Sequence, residues 1–224
     1  TMSIKQNLNT IKQSLPEHVT LVAVSKTKPV SDLIEAYNAG QRIFGENKIQ
    51  EMVDKYQEMP KDIKWHMIGH VQRNKVKYMA EFVDLIHGVD SLKLLKEINK
   101  QAKKHDRVIN CLLQIKIAEE DSKFGMSASD AKSLLQSEAF KDFNNVTISG
   151  VMGMATFTDN ETLIKEEFSR LKTTFEDLKD IKTSNCNLQT ISMGMSGDYP
   201  LAIECGSTMI RVGSSIFGER NYNN

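Results

Sequence analysis

The chain has 224 residues, enough for one large α/β core and short for two. Lys+Arg and Asp+Glu both number 29, so no net field draws in nucleic acid or an anionic membrane, and a small-molecule ligand is expected. Cys111, Cys186 and Cys205 are far apart, odd in number and outside metal-ligand spacing, which fits a reducing cytoplasm and indicates no metal site. No apolar run approaches the length needed to span a bilayer, the N-terminus lacks a signal-peptide profile, and Thr1 ahead of Met2 is read as foreign to the natural chain.

Ile4, Leu8, Ile11 and Leu15 recur at helical spacing, and Pro16 ends that helix. Leu21-Val-Ala-Val24 follows without alternation, as a strand buried on both faces would read, and runs into Ser25 and Lys26. A lysine at the carboxyl end of such a strand is carried by a rigid element and aimed at the face where α/β folds keep their chemistry. Lys28 is the rival, but Pro29 argues against the strand continuing that far. The run from Val30 to Ala39, with Gly40 as its stop, completes the first unit.

The pattern repeats. Arg42–Asn47, Ile63–Gly69, Phe82–Asp90, Val108–Lys116, Val146–Val151, Leu188–Met193 and Met209–Val212 read as seven more strands, most followed by a helical pattern. Val71–Met79 is a basic, helix-like stretch with a solvated face, and the run from Leu163 to Leu178 is the longest helix. Eight strand-helix units predict an α/β fold, a single (β/α)8 barrel over residues 2–224, with no linker or repeat. A doubly wound open sheet is disfavoured because no Gly-rich dinucleotide fingerprint follows the first strand.

In a barrel the strand ends converge on one face: Lys26, Asn47, His66, Lys123, Met154, Ser192–Ser196 and Arg211–Ser215. The last two loops, Ser192-Met-Gly-Met-Ser196-Gly-Asp198 and Arg211-Val-Gly213-Ser214-Ser215, are rich in small residues and hydroxyls at helix starts, which suits a phosphate. A lysine that condenses with an aldehyde, opposite a phosphate grip, matches pyridoxal 5'-phosphate, and Arg211 would supply a contact at the ring nitrogen. Because arginine only donates, that nitrogen would stay unprotonated and the ring would be a weak electron sink. Taken alone, His66 reads more readily as a core histidine than as a ligand, Trp65 as packing, and the 11 methionines mostly as core filler.

Five ordered motifs, Ala23-Val-Ser-Lys26-Thr-Lys-Pro29, Phe44-Gly-Glu-Asn47, Trp65-His66-Met-Ile-Gly-His70-Val-Gln72, Ser192–Asp198 and Arg211–Gly218, together resemble the YggS/PROSC family of pyridoxal phosphate homeostasis proteins across the whole chain. The resemblance implies a barrel like the N-terminal domain of alanine racemase, with the cofactor held as an imine on Lys26. It also implies Arg211 at the ring nitrogen, Ser196, Gly213 and Ser214 as phosphate ligands, Asn47 and His66 lining the pocket, and Met154 packed near the ring. It points to a carrier or buffer of the cofactor with no turnover and PLP-dependent apoenzymes as recipients, and the lack of the second domain of alanine racemase-like enzymes favours a monomer. The alternative is a fold-type III amino-acid racemase or decarboxylase. It is disfavoured because the chain ends at Asn224 straight after the barrel, and none of Tyr37, Tyr56, Tyr78, Tyr199 and Tyr222 reads as a proton donor. A Schiff-base aldolase on a sugar phosphate would use the same lysine and grip, and Lys123 is a candidate second amine at the pocket edge.

Overall fold

The computed structural model describes residues 2–119 and 124–219; Lys123 and Tyr222 lie outside them. Eight described strands, β1 (Thr20–Val24), β2 (Ile43–Glu46), β3 (Lys64–Met67), β4 (Leu85–Val89), β5 (Ile109–Gln114), β6 (Val146–Met152), β7 (Cys186–Met195) and β8 (Met209–Val212), pair in parallel in chain order. β8 closes on β1, with Val22 opposite Arg211 and Ala23 opposite Val212. The expected (β/α)8 barrel is the fold.

Ten helices cover it: α1 (Ile4–Ser14), α2 (Val30–Asn38), α3 (Ile49–Glu58), α4 (Val76–Met79), α5 (Leu92–Lys104), α6 (Ala128–Gln136), α7 (Glu138–Lys141), α8 (Glu161–Leu178), α9 (Tyr199–Glu204) and α10 (Ser214–Phe217), counted among the described residues. Their starts carry the expected chemistry. Ser3 and Gln6 form a reciprocal capping box on α1, and the side chains of Ser91, Ser127 and Asn160 each accept from an amide in the first turn of the helix that follows. On α8 the buried residues Ile164, Glu167, Phe168, Leu171, Thr174 and Leu178 mark one face at helical spacing. Outward-facing strand residues and these helix faces make one large core, while Val22, Leu85, Leu112, Met152 and Met209 form a second apolar cluster.

Three expectations shift in detail. The fourth strand starts at Leu85 rather than Phe82, because the amides of Phe82 and Val83 are still bonded to the Met79 carbonyl at the end of α4. Phe82 instead stacks on Tyr56, ring centroids 3.9 Å apart. The basic stretch after Val71 enters α4 through a 3-10 turn at Arg73–Lys75. The seventh strand reaches from Cys186 to Met195, and the register slips between Ile148 and Gly150 where it pairs with β6. Among the described residues no helix is long and apolar enough to cross a membrane.

That register slip depends on a glycine. A Cβ on Gly150 would sit 2.0 Å from the Thr190 carbonyl oxygen, a backbone atom that cannot step aside. Gly150→Ala is therefore expected to cost about 2–4 kcal/mol by forcing β6 and β7 apart, measured by urea unfolding; a loss under about 0.5 kcal/mol would contradict this packing.

Candidate functional site

Lys26 lies two residues beyond β1, half-buried, with Thr27 after it in a left-handed backbone conformation (φ 65°) and Pro29 immediately before α2. The pairing of Val22 with Arg211 carries Val24 alongside Gly213, where a Cβ would meet the Val24 carbonyl oxygen at 3.2 Å. Lys26 and the Gly213-Ser214 turn therefore leave the barrel side by side. Next to them, Asn47 follows β2, half-buried, and lines a pocket of about 310 Å³ with Lys48, Gln50, His70, Gln72 and Lys75.

On the far side of β8, the Ser196 hydroxyl accepts from the amides of Gly213 (3.1 Å) and Ser215 (3.4 Å). Two backbone donors thus converge on one oxygen at the start of α10. Asp198 holds the same loop by accepting from the Met195 amide at 2.7 Å. Ser214 is exposed beside this turn, and Met154 stands at the rim, 40% exposed.

The charge at the centre is Arg211, buried to 3% exposure, and burial drags its guanidinium down to about 10. It donates to the Ser192 hydroxyl and, at 3.2 Å, to the Gly153 carbonyl. Ser192 lies 2.9 Å from His87 Nδ1, His87 Nε2 lies 3.0 Å from His66 Nδ1, and His66 Nε2 lies 3.5 Å from Asp84 Oδ2. Burial lowers the proton affinity of both rings, well below the usual range for His87, where the charges of His66 and Arg211 add to the effect. Two neutral imidazoles between a donor-only guanidinium and an acceptor-only carboxylate have one consistent arrangement. Asp84 accepts from His66 Nε2–H, His66 Nδ1 accepts from His87 Nε2–H, His87 Nδ1 accepts from the Ser192 hydroxyl, and Ser192 accepts from Arg211. Every proton along this line points from Arg211 toward Asp84. His66 is thus placed three hydrogen bonds from the arginine, behind Ser192 and His87, with its ring nitrogens engaged by His87 and Asp84.

The alanine racemase N-terminal domain family matches residues 1–221. The Pasteurella multocida (strain Pm70) pyridoxal phosphate homeostasis protein is 38% identical over 234 residues, covering 99% of each chain. The chain belongs to the pyridoxal phosphate homeostasis protein family. PipY of Synechococcus elongatus PCC7942 is similar to this chain both without PLP (TM-score 0.90, 35% identity) and with PLP bound (TM-score 0.87, 34% identity), each matching 96% of this chain and all of PipY. Alanine racemase of Clostridium difficile 630 shares the fold at 13% identity and a TM-score of 0.80, with 99% of this chain matched to 60% of that enzyme.

The motifs that mark the family lie at the strand ends just described. The site also includes residues that the sequence does not single out: His87 and Asp84, which fall inside the Phe82–Asp90 run, and Glu46 with Lys55, buried behind Lys26. A charged or imidazole side chain inside an apolar strand was the available signal for Glu46 and His87.

The neutral histidines set a pH dependence. In the unfolded chain they bind protons near pH 6.5; in the fold they do so only at lower pH. Their contribution to stability is therefore whole above pH 6.5 and is lost as pH falls below it. His87→Gln removes one such group, so the stability difference between about pH 7 and pH 5 is expected to shrink by as much as about 2 kcal/mol. Denaturant titrations at the two pH values check this, and an unchanged difference would mean that folding leaves the proton affinity of His87 unshifted.

Proposed function

We propose that this chain binds pyridoxal 5'-phosphate and carries or buffers it in cytoplasmic cofactor homeostasis, handing it to PLP-dependent apoenzymes. The observation that carries the reading is the β1–β8 register, which sets a strand-end lysine beside a glycine-serine turn and above a buried arginine. The described residues form a single cofactor-binding barrel in this reading.

The donor set fits the group. When bound, pyridoxal 5'-phosphate supplies an aldehyde that can condense with an amine and a pyridine ring that can withdraw electrons. Lys26 is the covalent anchor. The amides of Gly213 and Ser215, which already converge on the Ser196 oxygen, have the arrangement that suits a phosphate oxygen, so Ser196, Gly213 and Ser214 form the phosphate grip. Arg211 donates to the ring nitrogen and, accepting nothing, leaves it unprotonated. Asn47, at the end of the neighbouring strand β2, and Met154, at the rim, flank the cofactor, and His66 acts through His87 and Ser192 on the arginine.

The same side chains favour holding over turnover. Ser192, His87 and His66 bind their protons in a fixed order, which leaves none of them a base within the barrel. Tyr37 donates to Asp62 on the surface, Tyr56 is stacked on Phe82, and Tyr199 packs against the core. Neither Tyr37 nor Tyr56 is offered to the site as a second acid, as an amino-acid racemase would use.

Borohydride reduction of the cofactor-loaded protein is expected to leave a pyridoxyl group on Lys26 by peptide mass mapping, and Lys26→Ala to leave none. Arg211→Leu is expected to weaken cofactor affinity roughly 10- to 100-fold, the worth of a charge-assisted hydrogen bond. Incubation with single L-amino acids in deuterium oxide is expected to give no exchange at the α-carbon. A pyridoxyl group on another lysine would overturn the anchor, and α-carbon turnover would replace the carrier with the racemase reading.

A further inference from the structure

Behind Lys26, on the outer side of the sheet, three charged side chains meet, two of them buried and the third, Glu51, partly exposed. Glu46 on β2 is fully buried and Lys55 on α3 is 5% exposed. The Lys55 ammonium donates to Glu46 at 2.9 Å and to Glu51 at 2.6 Å, while the Ser25 hydroxyl donates to the other Glu46 oxygen. The cluster also reaches the main chain on both sides of Lys26. Lys55 Nζ donates at 2.7 Å to the Ser25 carbonyl, which belongs to the peptide entering Lys26. Glu51 accepts at 2.7 Å from the Thr27 amide, which belongs to the peptide leaving it. Thr27 sits at φ 65°, a conformation that a β-branched residue adopts only when its surroundings impose it.

Stability does not account for this arrangement. Buried ion pairs repay their desolvation poorly, and apolar side chains of similar volume commonly do as well or better. Burial pushes the Glu46 carboxyl up to about 7 against the pull of Lys55 and Ser25, so the cluster is costly to keep. What it secures is geometric. With the two flanking peptides pinned to α3, the Lys26 side chain leaves from a fixed frame, and small misplacements of a reacting group carry large rate penalties.

We propose that Glu46, Lys55 and Glu51 are positioning residues for Lys26, setting the backbone from which its amine reaches an aldehyde. The proposal rests on the cofactor reading above. In that attachment the Lys26 nitrogen bonds the aldehyde carbon, and its two protons leave with the aldehyde oxygen as water. The cluster takes no part in these bonds; it acts only through the Ser25 and Thr27 peptides.

Two readouts on the full chain test it: amide hydrogen exchange of Thr27 in ligand-free protein, and the rate at which Lys26 gains a borohydride-stable pyridoxyl mass from pyridoxal 5'-phosphate. Glu51→Ala removes the acceptor, and is expected to speed Thr27 exchange and slow attachment by roughly tenfold each. Glu51→Gln, whose amide oxygen can still accept, is expected to stay within about twofold of the parent. The double variant Glu46→Leu/Lys55→Met is expected to keep or raise Tm and still slow attachment roughly tenfold, which separates positioning from stability. If the double variant does not fold, the Glu51 pair decides the matter alone. Parent attachment rates in Glu51→Ala despite rapid Thr27 exchange would overturn the proposal, and so would equal losses in Glu51→Ala and Glu51→Gln. A parent protein that takes no pyridoxyl group on Lys26 would overturn the cofactor reading instead, and unchanged Thr27 exchange in Glu51→Ala would then still refute the clamp.

Discussion

A guanidinium enclosed in a closed barrel must be neutralised or fully hydrogen-bonded, and Arg211 is met almost entirely by neutral acceptors. Much of the inner wall follows from that demand. Ser192 must present its lone pair to the arginine and its proton to His87, and the order is then passed through His66 to the half-exposed carboxylate of Asp84. The line crosses β8, β7, β4 and β3, so strands distant in sequence are tied by one run of hydrogen bonds. Removing any link leaves a buried polar group unpaired, and such groups cost more than the bond itself contributes. The apolar cluster of Val22, Leu85, Leu112, Met152 and Met209 shares the barrel with this polar line and keeps it in a medium where each bond is strong.

Lys26 is governed by a second constraint on the other side of the sheet. Arg211 is set by contacts inside the barrel, whereas the frame of Lys26 is set from outside, by α3 through Ser25 and Thr27. Lys26 and Arg211 are therefore oriented by independent supports that meet only where β1 pairs with β8. This division suits a protein that must grip a small aldehyde firmly and yet release it. In the proposed reading the grip lies at half-buried Lys26 and the exposed turn at Ser214, while the buried charge of Arg211 need not move.

The architecture was largely legible in the sequence because a closed parallel barrel writes itself as short apolar runs that stop on polar residues. Leu21–Val24 before Lys26 and Met209–Val212 around Arg211 are such runs, and the last two loops, Ser192–Asp198 and Arg211–Ser215, read as anion-binding turns from their small and hydroxyl residues. The supports were not legible in the same way. His66, His87 and Ser192 are neighbours only because the barrel closes and their side chains all point inward, and no local spacing encodes that. Lys55 sits in an amphipathic pattern where a lysine ordinarily marks the solvated face, yet it is drawn inward by Glu46 from another element. The limits of β4 were misjudged for a similar reason, since Phe82 and Val83 are apolar but spend their amides on the end of α4. The slip at Gly150 leaves only a glycine as its trace, and glycine serves many other purposes.

The central claim is that Lys26, Arg211 and the Gly213-Ser214 turn act on one bound cofactor. A crystal structure of the protein soaked or grown with pyridoxal 5'-phosphate tests it most directly. The account predicts continuous density from Lys26 Nζ to the cofactor, the ring nitrogen facing the Arg211 guanidinium, and the phosphate on the amides that Ser196 now caps. Density joined to another lysine, or a ring seated away from Arg211, would contradict it.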